Sequence, residues 1–278
     1  MEEGTLYIVA TPIGNLEDIT LRALRILKEC DLIAAEDTRR TKKLLSAYDI
    51  ATPLTSLYDQ NEAKKSPHLI SQMQRGKKIA YVSDAGTPAI SDPGYILVRE
   101  TVAHSISVIP IPGPSAVITS LCASGLPTDS FVFYAFLPSR SGKRRQFLQS
   151  IIAEEKTMVF YESPNRLISA LRDILTIMGD RKVVIFRELT KIYEEALRGP
   201  VSTLLESLKE RKIKGEITLI IAGAEKITPE FSPERIRECF EVLRRDATLS
   251  TRDIVDIISE ETGLAKKDVY REVLQFSK

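Results

Sequence analysis

The sequence predicts an α/β protein with two sheet-bearing domains and a small helical domain at its C-terminal end. Three observations lead there. Short β-branched runs without polar alternation recur between helical patterns in the first half, as in parallel sheets covered on both faces. Turn residues cluster at 124–129, and an aromatic strand pattern follows them. After Gly223 the pattern turns helical throughout. With 278 residues, 43% of them hydrophobic, the chain buries a core without staples. The boundaries read as 1–124, 125–225 and 226–278.

In the first domain, 6–11, 32–35, 79–82 and 107–111 read as strands. Between the first two, Ile19, Leu21, Leu24, Ile26 and Leu27 recur at helical spacing, with Asp18 or Thr20 as the N-terminal cap. In the second domain, 131–136, 158–161, 183–187 and 217–222 are strands and 202–211 is a helix. Crossovers are fewer there, so a mixed sheet is expected. In the last segment Ser232 caps a helix with Pro233 at its first position, and Ser250 with Asp253 forms a capping box. Three short helices follow.

Composition excludes several functions. Lys plus Arg number 39 against 38 Asp plus Glu, so affinity for nucleic acid has to come from local patches. In 226–278 the balance is 10 basic to 11 acidic, a poor match to a DNA-binding helix-turn-helix. Cys30, Cys122 and Cys239 are scattered thiols that fit a reducing compartment, and the cytoplasm is expected. The acidic start, Met1-Glu2-Glu3-Gly4, lacks the basic region of a signal peptide, and no apolar run reaches the roughly 18 residues of a membrane span. With only His68 and His104, no metal site is expected, and carboxylates, amides, hydroxyls or lysine carry the chemistry.

Three loops follow strands of the first domain: Thr11-Pro12-Ile13-Gly14-Asn15, Ser83-Asp84-Ala85-Gly86-Thr87-Pro88, and Ile111-Pro112-Gly113-Pro114-Ser115-Ala116. All three fall at one sheet edge, where open α/β folds collect ligands. Glycine admits close backbone approach and proline fixes loop shape. Singly, each such loop is more often turn punctuation than a site; three at successive strand ends point to a binding crevice as readily as to turns. Neither GxGxxG after the first strand nor GxxxxGK[ST] is present, against a dinucleotide site or a P-loop.

The stretch Tyr7 to Leu16, Ala34-Ala35-Glu36-Asp37-Thr38-Arg39, Val82 to Pro88, Asp92-Pro93-Gly94 and Pro112 to Ala116 resembles the tetrapyrrole-methylase superfamily. Phe160 to Pro164, Arg187 to Lys191 and Gly263 to Lys267 resemble its branch that methylates small-subunit ribosomal RNA. The resemblance implies two α/β domains with an S-adenosylmethionine cleft between them, a homodimer, and 2′-O-methylation of a decoding-region cytidine in 16S rRNA, free or in the small ribosomal subunit. Carried over by motif, Pro12, Asp84, Gly86, Thr87, Ser115 and Ala116 line the cofactor side, and Tyr161 and Ala222 close it from the second domain. Tetrapyrrole-modifying members open with Gly-x-Gly-Pro-Gly-Asp where this chain has Thr11 to Asn15, which disfavours a porphyrinogen acceptor.

Methyl transfer to a ribose hydroxyl calls for positioning and a group that takes the proton. Glu36 and Asp37 are the candidates, although an acidic pair there also suits the N-terminus of a helix beginning near Thr38. Asp84 reads as a cofactor ligand or as an Asx-turn residue. Arg39 and Arg40, with Lys42 and Lys43, and the cluster Lys143, Arg144 and Arg145 are expected to grip RNA phosphates, the latter from a Ser and Gly-rich loop before a helix. Charge runs are otherwise solvated faces. The competing functions are carbon methylation of a tetrapyrrole and a non-enzymatic RNA-binding scaffold.

Overall fold

Apolar, β-branched strands open each βα repeat. In the computed structural model, which describes residues 4–225, 233–245 and 248–276, the first repeat runs β1 (Thr5–Val9), α1 (Leu21–Glu29), β2 (Leu32–Ala35), α2 (Thr38–Ala47), β3 (Leu54–Ser56), α3 (Asp59–Gln74), β4 (Lys78–Val82), α4 (Tyr95–Ala103), β5 (Ser107–Ile111) and α5 (Ala116–Cys122). All five strands are parallel, in the order β3-β2-β4-β1-β5. The central strands are buried because helices cover both faces. Ala23, Ile26 and Leu27 of α1 and Leu45 of α2 cover one face, and Leu69, Ile70 and Met73 of α3 with Leu97 of α4 cover the other. Thr20 caps α1, its hydroxyl accepting from the Ala23 amide at 3.1 Å.

The second lobe contains β6 (Phe131–Phe136), α6 (Ser141–Ser150), β7 (Thr157–Glu162), α7 (Pro164–Met178), β8 (Lys182–Arg187), β9 (Glu195–Pro200), α8 (Val201–Leu208) and β10 (Ile217–Ile221). Its sheet is mixed as expected: β6 and β7 are parallel, and β10 lies antiparallel between β7 and β8, with β9 at the edge. One face carries α6, α7 and α8. The other receives Val117 and Leu121 of α5, which pack on Val159, Val184, Phe186 and Ile220. The last helix of the first repeat thus joins the two lobes into one compact unit, residues 1–224.

Residues 225–278 form a second unit. It contains α9 (Pro233–Leu243), α10 (Thr251–Thr262) and α11 (Lys266–Phe276), closed around Ile236, Phe240, Ile254, Val255, Ile258, Val269 and Val273. The expected capping box is formed: the Ser250 hydroxyl accepts from the Asp253 amide at 3.2 Å and the Asp253 carboxylate accepts from the Ser250 amide at 2.9 Å. The expected cap at Ser232 lies outside the described residues.

Two placements correct the sequence reading. Residues 141–145 open α6 rather than a loop, and this turns Arg144 inward. Its guanidinium donates to Asp173 at 2.8 Å, and the pair is buried at 3% side-chain exposure on each side. Arg144 is therefore a structural cation, removed from any phosphate. Arg145 also meets Asp173, at 2.6 Å, although its side chain stays more than half exposed. Ala222 is displaced from the cleft because β10 runs antiparallel to β7. Ile217 pairs with Glu162 at the cleft end, so Ala222 lies past Ile221 at the far end of the sheet.

Candidate functional site: a carboxylate-lined crevice between two lobes

Strand ends of both lobes converge on a crevice of about 440 Å³. From the first lobe come Ile13, Glu36, Asp84, Gly86, Thr87, Asp92, Ser115 and Ala116; from the second, Phe136, Tyr161, Glu162, Glu216 and Thr218. Of the residues expected to hold a cofactor, Asp84, Gly86, Thr87, Ser115, Ala116 and Tyr161 are brought together here. Pro12 instead faces an adjoining groove of about 340 Å³ that shares Ile13, Arg40 and Asp84 with the crevice.

Backbone bonds lock the first-lobe loops to one another. Thr11 and Gly86 exchange both amide bonds at 2.9 Å. Gly86 sits at φ +78°, a conformation that side chains resist. The Thr87 hydroxyl donates to Pro114 O at 3.2 Å, and Ser115 caps α5. Gly14 explains how the first loop reaches the second lobe. A Cβ there would lie 2.4 Å from Lys191 Cγ and 2.9 Å from Leu189 O, and the Asn15 amide donates to the Thr190 hydroxyl at 3.1 Å. On the facing segment Glu188 and Thr190 hold positive φ, +53° and +64°. The loop after Gly86 stores similar strain at Ala89 (+66°) and Ser91 (+63°), the residue before Asp92.

The carboxylates are differentiated by their surroundings. Glu36 and Asp84 clasp the ends of β2 and β4: the Asp84 amide donates to Glu36 Oε2 at 3.1 Å, and Asp84 Oδ1 accepts from the Asp37 amide at 3.0 Å. Asp84 Oδ2 meets Arg40 Nη1 at 3.3 Å. Asp84 thus organises the wall through both oxygens while still bordering the crevice. Burial, then the charge of Asp84, raises the Glu36 carboxyl above its ordinary range, against the Asp84 amide bond.

Asp37 behaves as the helix reading anticipates. It caps α2 by accepting from the Arg39 amide at 2.8 Å, and the Arg39 guanidinium holds its carboxyl well below the usual range. A carboxylate so acidic and so engaged is a poor base, and Asp37 does not line the crevice. This corrects its expected catalytic role.

Asp92 is the residue that sequence reasoning missed. Burial pushes its carboxyl up to about 6, the Glu36 charge adds to this, and the Ser83 hydroxyl bond opposes it. Asp92-Pro93-Gly94 enters the sequence reading only as part of the family resemblance, and no role is drawn from it for Asp92. Glu162 was missed too. Its Oε1 accepts from the Ser163 amide at 2.6 Å and from Arg166 Nε at 2.8 Å, whereas its buried Oε2 has no partner among the described residues.

Apolar walls complete the site. Tyr161 packs edge-on to Phe133, centroids 5.0 Å apart, and tilted against Phe136 at 5.6 Å, and burial pushes its phenol up to about 12. Aromatic and aliphatic walls suit a purine ring, while Glu36, Asp84, Asp92 and the Glu162 acceptor suit a cationic ligand with amine donors. S-adenosylmethionine has those parts, so the residues fit it. Among the described residues no cluster of three or more His, Cys, Asp or Glu is arranged for a metal ion, and no helix is long and apolar enough to cross a membrane. Lys143 and Arg145 are exposed outside the crevice, Arg39 faces another groove, and Arg40 alone of the basic candidates lines it.

Such an arrangement of two lobes, strand-end loops and interlobe crevice suits a two-domain enzyme that holds a purine-bearing cofactor between its lobes. The sequence profile of the Tetrapyrrole (Corrin/Porphyrin) Methylases matches residues 5–205. A protein of Halalkalibacterium halodurans named ribosomal RNA small subunit methyltransferase I is 49% identical over 97% of this chain and 94% of its own. One of the same name from Thermotoga maritima is 51% identical over 80% of this chain and 100% of its own. Solved structures share the fold: a diphthine synthase (TM-score 0.59, 14% identity, 78% of this chain and 90% of that one) and the uroporphyrin-III C-methyltransferase of Thermus thermophilus (0.56, 20%, 79% and 94%). The chain belongs to the tetrapyrrole methylase family and, within it, to the group named ribosomal RNA small subunit methyltransferase I. It is a methyltransferase whose methyl donor is S-adenosylmethionine.

Proposed function

We propose that this protein methylates the ribose 2′-oxygen of a decoding-region cytidine in 16S ribosomal RNA, free or within the small subunit, as a cytoplasmic homodimer. The names of its relatives supply the substrate class, and the resemblance of its motifs supplies the nucleotide, the acceptor atom, the dimer and the compartment. The observation that carries the chemistry is the crevice with Asp92 and Glu36, two carboxylates whose surroundings keep their proton affinity high.

S-adenosylmethionine, when bound, supplies a methyl group on an electrophilic sulfonium. Asp84, Gly86, Thr87, Ser115, Ala116 and Tyr161 would hold it, together with the unpartnered Oε2 of Glu162. The remaining demand on the chain is a proton. A ribose hydroxyl attacks only as its proton leaves, and a carboxylate with a pKa near 6 is ionised at neutral pH yet basic enough to accept it. Asp92 takes that proton, and Glu36 adjusts its affinity through the charge they share in one crevice. Tyr161, Phe136 and Ile90 give the crevice an apolar wall beside the reacting groups.

Purified protein with a labelled methyl donor should label small ribosomal subunits or 16S rRNA, and not porphyrinogens. A 2′-deoxy substitution at the target nucleotide should abolish labelling. Transfer to a porphyrinogen, or labelling that persists on the deoxy substrate, would overturn this reading.

A further inference from the structure

Helix α2 presents cations on two sides. Arg40 lines the cofactor crevice, whereas Arg39 and Lys42, three residues apart and so on one face, line a separate open groove of about 680 Å³ against β3. That groove runs along edge strand β3 of the same parallel sheet, from Ala51 and Thr52 before it to Ser56 at its carboxyl end. No aspartate or glutamate lines it; its other polar groups include the hydroxyls of Thr38, Ser46, Thr55 and Ser56.

Its floor holds Lys65, a half-buried cation from α3. The ammonium donates to Thr55 Oγ1 at 3.0 Å, Ser56 O at 2.7 Å and Ser56 Oγ at 3.1 Å, all neutral acceptors. Among the described residues no carboxylate ion-pairs with Lys65 or Lys42. Elsewhere the chain neutralises such cations: Lys191 meets Glu188 at 2.8 Å and Glu216 at 3.0 Å, and Arg144 meets Asp173. A half-buried positive charge held only by neutral acceptors keeps its attraction for an anion.

We propose that this groove seats the phosphodiester backbone of the RNA strand flanking the methylated nucleotide, with Lys42, Lys65 and Arg39 as its phosphate contacts. The assignment rests on the RNA-methylating reading above and places the strand across α2 from the crevice. Cations and hydroxyl donors are the groups that grip phosphate oxygens without reading sequence. An open groove fits a strand better than a small enclosed ligand, and no acid lines it, the nearby Asp37 carboxylate being paired with Arg39 at 2.8 Å. The contacts fix register, while the nucleotide itself is selected in the crevice.

The test is fluorescence anisotropy with a labelled 16S rRNA fragment spanning the decoding region, titrated across salt concentrations. Lys42→Glu combined with Lys65→Met should weaken binding about tenfold and flatten the log–log salt slope by about 1.4, two phosphates at roughly 0.7 each. Calorimetric affinity for S-adenosylmethionine should stay unchanged. Lys42→Glu alone, at an exposed position, guards against misfolding and should flatten the slope by about 0.7. Unchanged RNA affinity and slope in both variants would overturn the groove while leaving the methylation reading intact. Wild-type protein that binds the fragment through these lysines yet methylates no RNA would keep the groove and remove that reading. Loss of calorimetric binding of inorganic phosphate, with RNA affinity unaltered, would mark a free-anion site and overturn the proposal.

Discussion

Asp92, half-buried, and Asp173, fully buried, are carboxylates with opposite fates, and their partners decide which. Burial dominates at Asp92 and raises its carboxyl to about 6. An aspartate raised in the folded state binds more protons than the unfolded chain, so its contribution to stability falls as pH rises from about 4 through 6. Asp92→Asn should therefore raise Tm by a few degrees at pH 7.5 while lowering kcat by about 10²- to 10⁴-fold with cofactor affinity retained. In the wild type, kcat/KM should climb with pH through about 6 and then level, and this limb should vanish in the variant. A variant of normal rate would remove Asp92 from the reaction. At Asp173 burial also pushes upward, but hydrogen bonds from Arg145, Arg144 and Ser141 outweigh it and hold the carboxyl low. Its stabilisation is present above the unfolded value and is lost as pH falls through the folded one. Asp173→Ala leaves Arg144 buried and uncompensated, and should cost about 3–5 kcal/mol in urea unfolding at pH 7. A loss below about 1 kcal/mol would mean that Arg144 finds water.

Elements with strong periodicity or consistent chain punctuation were legible in the sequence. Four of the five strands of the first sheet, the mixed second sheet and the Ser250 box rest on local patterns that tertiary context did not override, whereas the three-residue β3 was not read. Strand β1 stops two residues before its expected end because Thr11 turns to bridge Gly86 instead of extending the ladder. Other elements had no local signal. Strand β9 contains Glu195, Arg198, Gly199 and Pro200, a composition that reads as loop; it forms at the sheet edge, where β8 supplies its ladder and Pro200 ends it. Helix α3 has Pro67 in its interior and a weak apolar stripe. For the site, the three first-lobe loops were legible as sheet-edge punctuation, whereas the direction of β10 and the inward turn of Arg144 depend on pairing partners far along the chain. The same long-range logic applies to the clasp of the first loop on the second lobe. Gly14→Ala places a Cβ against Leu189 O, backbone that yields less readily than the Lys191 side chain. It should displace the first loop and raise KM for the RNA acceptor several-fold, with little change in Tm. Steady-state kinetics on small subunits would check this, and an unaltered KM would show that the contact is passive.

At the scale of the whole molecule, ligand binding and the division into two units make a combined statement. Every residue of the crevice falls between Ile13 and Thr218, inside the unit of residues 1–224, while α9, α10 and α11 close on a separate core of their own. A ligand that binds only the folded state stabilises what it touches by RT ln(1 + [L]/Kd), about 2.7 kcal/mol at a hundredfold excess over Kd. That gain reaches only segments whose opening breaks the site. Within 1–224 such segments are the strained loops, residues 83–94 and 186–191, together with 161–164 at the end of β7. Their Ala89, Ser91, Glu188 and Thr190 backbones sit in conformations that local opening relieves and a bound ligand holds in place. Hydrogen exchange on the full chain with saturating S-adenosylmethionine should therefore slow most in 83–94, 161–164 and 186–191. It should slow little in 251–276, where the capping box of α10 and the apolar core set the opening free energy. Equal slowing in 251–276 would mean that the helical unit and the crevice open as one, and the cofactor would then report on both.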